Sequence, residues 1–386
     1  MSGQAPSLPF EPAEYDRRMG RLGERLGARG LDGIVISGPE NQYYLTGYET
    51  TGFHSFPQAL IVTSAGERLL VTRQLEIENA TENAYRLPAR GYRDDEDPGA
   101  AIAKGLVDLG LADGTVGIEK RVVWLTVQVF DAIRGAAPRA RLEDASGLME
   151  MLRAVKSEAE IAYMRQAARA VEAGMRAGLD AVGEGVSEHD VAAAVFHARI
   201  KAGSHFVRNP AYIVAGPRSA LAHATWIGRR LEAGDVVFFE LGGNVRHYDS
   251  ALIRCAVVGK APDDVRRAAD ASRAALERTI AAFAPGVPAK EVDRVCRSEL
   301  ERHGFGKYFD HRTGYGIGIE FLTWIERGGV SLDQGSDTVL EPNMTCHLIP
   351  YFKIPGKCSI GFSETVRVTG TGREVLTEFP RTLAER

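Results

Sequence analysis

The sequence predicts an α/β (α+β) protein of two domains, and three observations predict it. The chain has 386 residues, enough for two separate cores. Over about the first 150 residues helical and strand-like patterns alternate, which predicts a domain with a mixed sheet. The second half runs helix–helix–strands–helix–helix–strands, which predicts a duplicated ααββ unit around a shared sheet. The boundary falls ahead of a long amphipathic helix, giving domains 1–153 and 154–386.

Residues 12–30 space apolar groups at helical intervals and end on glycine, so they predict a helix. LDGIVISG predicts a short buried strand. QALIVTS and ERLLVTR predict a strand pair around a polar Ala-Gly-Glu turn. DPGAAIAKGLVDLG predicts a helix, GTVGIEK a strand, and VVWLTVQVFDAIRGAAP another helix. At the boundary, Ser157 and Glu160 form a capping-box pattern. Ile161, Met164, Ala168, Val171, Met175 and Leu179 follow as one apolar stripe. SEHDVAAAVFHARIKAG predicts a second helix with Ser187 as its cap. DVVFFELGG and ALIRCAVVG read as two strands around a glycine turn. Two further helices, DDVRRAADASRAALERTIAAF and AKEVDRVCRSELERHG, precede the strand-rich TVLEPNMTCHLIPYF and CSIGFSETVRVTG.

Composition narrows the function. With 44% hydrophobic and 25% charged residues the chain reads as globular, and a net charge of −4 argues against a nucleic-acid surface. No apolar run reaches the roughly 18 residues of a membrane span. The opening MSGQAPSLPFEPAEYDRR lacks a basic start with an apolar core, so no leader is expected. The four cysteines are scattered and read as buried thiols, which suits a cytoplasmic protein. No H-E-x-x-H, phosphate-binding loop or G-x-S-x-G elbow occurs. GYGIGIE at 314–320 lacks the spacing of a dinucleotide loop.

Three polar clusters remain on or beside strands of the second half. They are LAHATW with His223, the stretch ELGGNVRHYDSALIRC, and HRTGYGIG together with SIGFSETVRV. Ionisable groups in apolar strands are costly to bury and usually serve a site. These clusters, the two-domain layout and the helix KSEAEIAYMRQAARA resemble the pita-bread hydrolases: methionine aminopeptidase, aminopeptidase P, prolidase and creatinase. The resemblance implies an N-terminal creatinase/prolidase-like domain and a C-terminal pita-bread catalytic domain.

Metallopeptidases of this family hold two metal ions with Asp, Asp, His, Glu and Glu. Those positions fall here on Glu240, Ala251, Tyr315, Ile349 and Glu364. Alanine and isoleucine cannot ligate, and neutral tyrosine ligates poorly, so no metal and no cofactor is expected. Creatinase works on this fold without metal. Its proton-shuttling histidine falls on His223, while one of its catalytic glutamates falls on Ile253 and is missing. Ectoine hydrolase, also metal-free, resembles the chain in H-A-T-W, in E-L-x-G at 240–243, in R-x-G-Y-x-I-G at 312–318 and in W-x-E-R at 324–327. The glutamate that attacks its substrate's ring amidine falls on Glu240.

The resemblance thus implies a catalytic set of His223, Glu240, Glu364 and Tyr315. His223 is the acid–base candidate, Glu240 the nucleophile or general base, and Tyr315 a donor to a developing oxyanion. Glu364 would hold a substrate cation or accept a proton, with a paired structural carboxylate as the alternative. Candidate substrate-binding residues are His54, Phe56, Tyr248, Asp249, His311 and Arg327, the last for a substrate carboxylate. His54 and Phe56 would form a lid donated by the second subunit of a homodimer; core packing is the alternative for them and for Tyr248. The expected reaction is metal-free hydrolysis of a C–N bond in a small polar nitrogen compound. An ectoine-like cyclic amidine comes first and a guanidino acid such as creatine second. The rivals are an Xaa-Pro metallopeptidase and a non-catalytic binding protein. No nucleic acid or membrane partner is expected.

Overall fold

A computed structural model describes residues 8–205 and 211–386. Residues 1–7, which carry part of the leader reading, lie outside the described residues. The chain divides into two compact units, Met1–Arg153 and Ala154–Arg386.

In the first unit α1 (Pro12–Ala28) opens on a proline that presets the first helical φ. Tyr15, Met19, Leu22 and Leu26 bury one face. β1 (Gly33–Ile36), α2 (Pro39–Thr46), β2 (Ala59–Thr63) and β3 (Arg68–Arg73) follow, then α3 (Ile77–Glu82), β4 (Ala89–Tyr92) and α4 (Pro98–Asp108). β5 (Thr115–Ile118), α5 (Val127–Ala136), β6 (Arg141–Asp144) and α6 (Leu148–Ala154) complete the series. The sheet order is β4-β3-β2-β1-β5-β6. β1–β2 and β2–β3 are antiparallel and the other pairs parallel, so the sheet is mixed, as its pattern predicts. α5 is shorter than the apolar run beginning at Val122. It starts only after Thr126, whose hydroxyl accepts from Val129 N at 3.3 Å and caps the helix. The short α2, α3, β4 and β6 carry little periodicity and escaped the sequence reading.

The second unit opens with α7 (Glu158–Ala181), whose predicted capping box is formed in both directions by Ser157 and Glu160. The predicted stripe on α7 is buried throughout. α8 (Glu188–Lys201) is capped by Ser187. β7 (Tyr212–Ala215), β8 (Val236–Val245) and β9 (Tyr248–Val257) follow, with α7 and α8 covering their apolar face through Val171, Met175, Phe239 and Leu252. α9 (Asp263–Ala282) and α10 (Ala289–Arg302) begin the second repeat. β10 (Gly314–Gly316), β11 (Ser331–Leu332) and β12 (Thr345–Leu348) come next, then β13 (Phe352–Ile354) and β14 (Cys358–Ile360). β15 (Glu364–Val368), β16 (Arg373–Val375) and β17 (Ala384–Glu385) end the chain.

The repeated helix–helix–strands order is present, but the shared sheet is divided. One sheet runs β17-β9-β8-β7 and the other β11-β10-β12-β15-β16. Side chains join them between β9 and β15. Ala251 N donates to Thr365 Oγ1 at 2.9 Å, and Ile253 N donates to Ser363 Oγ at 2.5 Å. The glycine turn is also misplaced by the sequence reading. β8 and β9 turn at Arg246 and His247, with φ of 50° and 66°, while Gly242 and Gly243 lie inside β8. Their reason is close approach. A Cβ on Gly242 would stand 2.7 Å from the Trp324 ring, and one on Gly243 2.2 Å from Ala167 O of α7. All four cysteines are buried and free. Among the described residues no helix is long and apolar enough to cross a membrane.

Candidate active site

Strand alternation sets up the site. Phe239 and Leu241 point into the helix-covered core, so their neighbour Glu240 faces the opposite side of β8. There it lines a cavity of about 330 Å³, together with Tyr212, His223, Tyr315, Trp324 and Ile349. Tyr212 pairs with Glu240 across β7 and β8. The Tyr212 ring lies 5.6 Å from that of His223 and 5.8 Å from that of Trp324. Asp310, His311, Arg312, Tyr351 and Lys353 complete the polar wall.

His223 is exposed at this cavity and adopts φ 58°. A left-handed residue other than glycine costs roughly 1–3 kcal/mol and tends to persist where a site requires it. The strain aims an imidazole at the cavity from a loop instead of a regular element.

Glu240 is buried, and burial pushes its pKa up to about 7 against the opposing hydrogen bond from Tyr315. Tyr315 is held by three partners. Trp324 Nε1 can only donate, and lies 2.9 Å from Tyr315 Oη. His347, the cross-strand partner of Tyr315 on β12, places Nδ1 2.9 Å from the same oxygen. Its Nε2 lies 2.6 Å from Ser363 Oγ, which already accepts from Ile253 N. Burial, seconded by Arg254, depresses the His347 pKa to about 3, so the ring is neutral. One direction then satisfies every donor. Ser363 donates to His347 Nε2, His347 Nδ1–H donates to Tyr315, and Tyr315 donates to Glu240 Oε1 across a long 3.4 Å contact. This tautomer is assigned from the network. Burial, and then Glu240, hold the Tyr315 phenol well above its ordinary pKa, so it remains a donor.

His311 lies in the wall with Nδ1 2.8 Å from Arg312 O and Nε2 3.0 Å from Tyr351 O. Burial lowers its pKa and outweighs the two carbonyls that favour a proton. Of the sequence candidates the cavity therefore gathers His223, Glu240, Tyr315 and His311.

The structure does not bring the others there. Glu364 is fully buried and bound by Arg254 Nη2 at 2.7 Å, by Arg381 Nε at 2.8 Å and by the Thr377 hydroxyl. Its charge is compensated by that pairing, and it does not line the cavity. Tyr248 is buried, and its hydroxyl donates to Glu160 Oε1 at 2.9 Å. Asp249 accepts from Asn244 Nδ2 at 2.8 Å. Arg327 approaches Glu320 at 3.5 Å and does not line the cavity. His54 and Phe56 belong to the first unit, where they border a separate pocket of about 260 Å³ with Phe53 and Trp124.

Sequence reasoning missed His347, Ser363, Tyr351 and Arg312. His347 carried one available signal, a histidine inside an otherwise apolar strand. Its link to Tyr315 depends on a strand register that the sequence does not display.

The fold family implies a metal site, and the residues present do not fit one. Glu240 shares its cavity with Tyr315 and Ile349, Ala251 pairs with Gly242 further along β8, and Glu364 is committed to two arginines. Among the described residues no group of three or more His, Cys, Asp or Glu side chains is placed to hold an ion.

A mixed α/β domain followed by duplicated helix–helix–strand units, with a polar cavity on the strands, defines a pita-bread hydrolase architecture. Residues 162–370 match metallopeptidase family M24, and residues 18–155 match the creatinase/prolidase N-terminal domain. The chain belongs to metallopeptidase family M24. It is 30% identical to an uncharacterized hydrolase/peptidase of Sinorhizobium fredii, covering 97% of this chain and 98% of that one. It is 28% identical to ectoine hydrolase of Halomonas elongata, covering 98% of both. Its structure is similar to that of dipeptidase PepE from Mycobacterium ulcerans, with a TM-score of 0.85 at 27% identity, covering 97% of this chain and 99% of that one.

Proposed function

We propose that the protein is a metal-independent hydrolase of a non-peptide C–N bond, acting on a small polar nitrogen compound of the ectoine-like cyclic amidine type. The observation that carries this reading is the lone buried Glu240 on a cavity whose surroundings lack a metal-ligand set. The likeness to ectoine hydrolase supports the substrate class. Ionised Glu240, or a water it deprotonates, attacks the amidine carbon. The C–N electron pair moves to the leaving nitrogen, which takes a proton from His223. If Glu240 itself attacks, loss of the amine leaves an imidoyl ester of Glu240; water adds to its C=N carbon, and expulsion of the carboxylate releases the amide and restores Glu240. Tyr315 steadies the carboxylate before attack and donates to the oxygen that gains charge.

Glu240→Gln should abolish turnover of ectoine, read by mass spectrometry, with the circular dichroism spectrum and elution volume unchanged. Near-normal rates in that variant would overturn the mechanism. The 27% identity to Xaa-Pro dipeptidase of Pyrococcus furiosus, over 95% of this chain and 99% of that one, favours a second reading, cleavage of Xaa-Pro dipeptides. That reading requires stoichiometric manganese, zinc or cobalt and inactivation by chelators, so elemental analysis separates the two. The proposal includes a cytoplasmic homodimer in which His54 and Phe56 of one subunit close the site of the other. Light scattering tests the dimer, and loss of substrate affinity in His54→Ala tests the lid.

A further inference from the structure

We infer that Arg312 is the anion-binding residue of this cavity and that the substrate carries a carboxylate. The inference rests on the cavity being the active site, not on which C–N bond is cleaved there.

Arg312 is half-buried and lines the cavity. Its guanidinium carbon lies 4.7 Å from the centroid of the Tyr315 ring, in a cation–π arrangement. Its one side-chain hydrogen bond runs from Nη1 to Ser331 Oγ at 3.4 Å, and Ser331 in turn donates to Asp333 at 2.5 Å. Among the described residues no carboxylate forms an ion pair with it. Three other basic groups of this unit are paired with carboxylates. Lys353, also in the cavity wall, lies 3.3 Å from Asp310. Arg327 is set against Glu320, and Arg254 against Glu364. Arg312 thus leaves most of a planar donor fork facing the cavity. A partly desolvated cation without a counter-charge is costly, and a bound carboxylate would offset that cost through two parallel hydrogen bonds.

The placement also sets the size of the substrate. The guanidinium stacks on the ring of Tyr315, and the hydroxyl of the same residue reaches Glu240. The anion site and the attacking carboxylate are therefore about one tyrosine side chain apart. A small amino or imino acid, with its carboxylate a few bonds from the scissile C–N bond, spans that interval. A neutral amidine, or a long peptide anchored elsewhere, does not use the fork.

The test is calorimetric binding to the full-length protein, which needs no turnover. The probes are matched pairs: ectoine and its carboxamide, proline and prolinamide, glycine and glycinamide. At least one acid should bind wild type about ten- to a hundred-fold more tightly than its amide, the range of a charge-assisted bidentate contact. In Arg312→Gln acid and amide should bind alike, and Arg312→Lys should recover part of the difference. Unchanged thermal melting in both variants shows that they fold. Three results would overturn the inference: no acid binds wild type, wild type does not prefer acids, or Arg312→Gln keeps the preference. Loss of ectoine turnover in Glu240→Gln is a separate readout, so the reaction and the anion site can fail independently.

Discussion

At the scale of the residue, Tyr315 carries the argument. It accepts from Trp324 and His347 and has one proton left, which reaches Glu240. That donation stabilises the ionised carboxylate, so it opposes the burial that raises the Glu240 pKa to about 7. If ionised Glu240 is the reacting form, activity should rise with pH through an acidic limb near 7. In Tyr315→Phe the donor is gone while desolvation stays, so the limb should move to higher pH and the plateau rate should fall. Rates measured from pH 5 to 9 check this, and an unmoved limb would separate Tyr315 from Glu240. Glu240 was legible in the sequence because a carboxylate flanked by Phe238, Phe239 and Leu241 stands out. Glu364, flanked by Ser363 and Thr365, stood out through the family resemblance instead. Its partners Arg254 and Arg381 meet it only after folding, so the sequence left the catalytic and the paired structural readings side by side.

At the scale of the element, β8 does two jobs with neighbouring residues. Glu240 serves the cavity, while Gly242 and Gly243 let other parts come close. A methyl at position 243 would strike the backbone of α7, at Ala167 O and at Val171 N 2.8 Å away, and neither atom can yield without moving the helix. A methyl at position 242 would meet only the ring of Trp324. Gly243→Ala should therefore destabilise the fold by about 1–3 kcal/mol or more, in the range of core overpacking. Gly242→Ala should be milder in stability but should displace Trp324, and with it a donor to Tyr315. Urea denaturation and steady-state rates of the two variants check the contrast. Equal stability losses would show that β8 and α7 can separate more easily than their contacts imply. The helices were legible because α7 announces itself by period and capping box. The role of the glycines was not, because a glycine pair in sequence looks the same whether it turns a chain or admits a neighbour.

At the scale of the whole molecule, the two units were legible in outline because each carries its own apolar periodicity. The join between the sheets of the second unit was not, since hydroxyls of Ser363 and Thr365 replace a strand ladder there. This second unit holds a cost that function explains. Glu240 has an ordinary pKa of 4.5 when exposed and about 7 when folded. Between those values the native state binds a proton that the unfolded chain has released, so stability falls as pH rises through that window. Above pH 7 the ionised, buried carboxylate costs about 3 kcal/mol, at about 1.36 kcal/mol for each pH unit between 4.5 and about 7. Glu240→Gln removes the titration. Its melting temperature should match wild type at pH 5 and exceed it at pH 8, by roughly 6–12 °C for a unit of this size. His347 acts with the opposite sign, because its depressed pKa makes stability fall as pH drops below 6.5. It is present in both proteins and cancels when they are compared at matched pH. Calorimetry at pH 5 and pH 8 measures the difference. A gain that stays constant between the two would mean that Glu240 is not held protonated by the fold. A gain that appears only at pH 8, in a variant without turnover, would mark this carboxylate as kept for chemistry at the expense of stability.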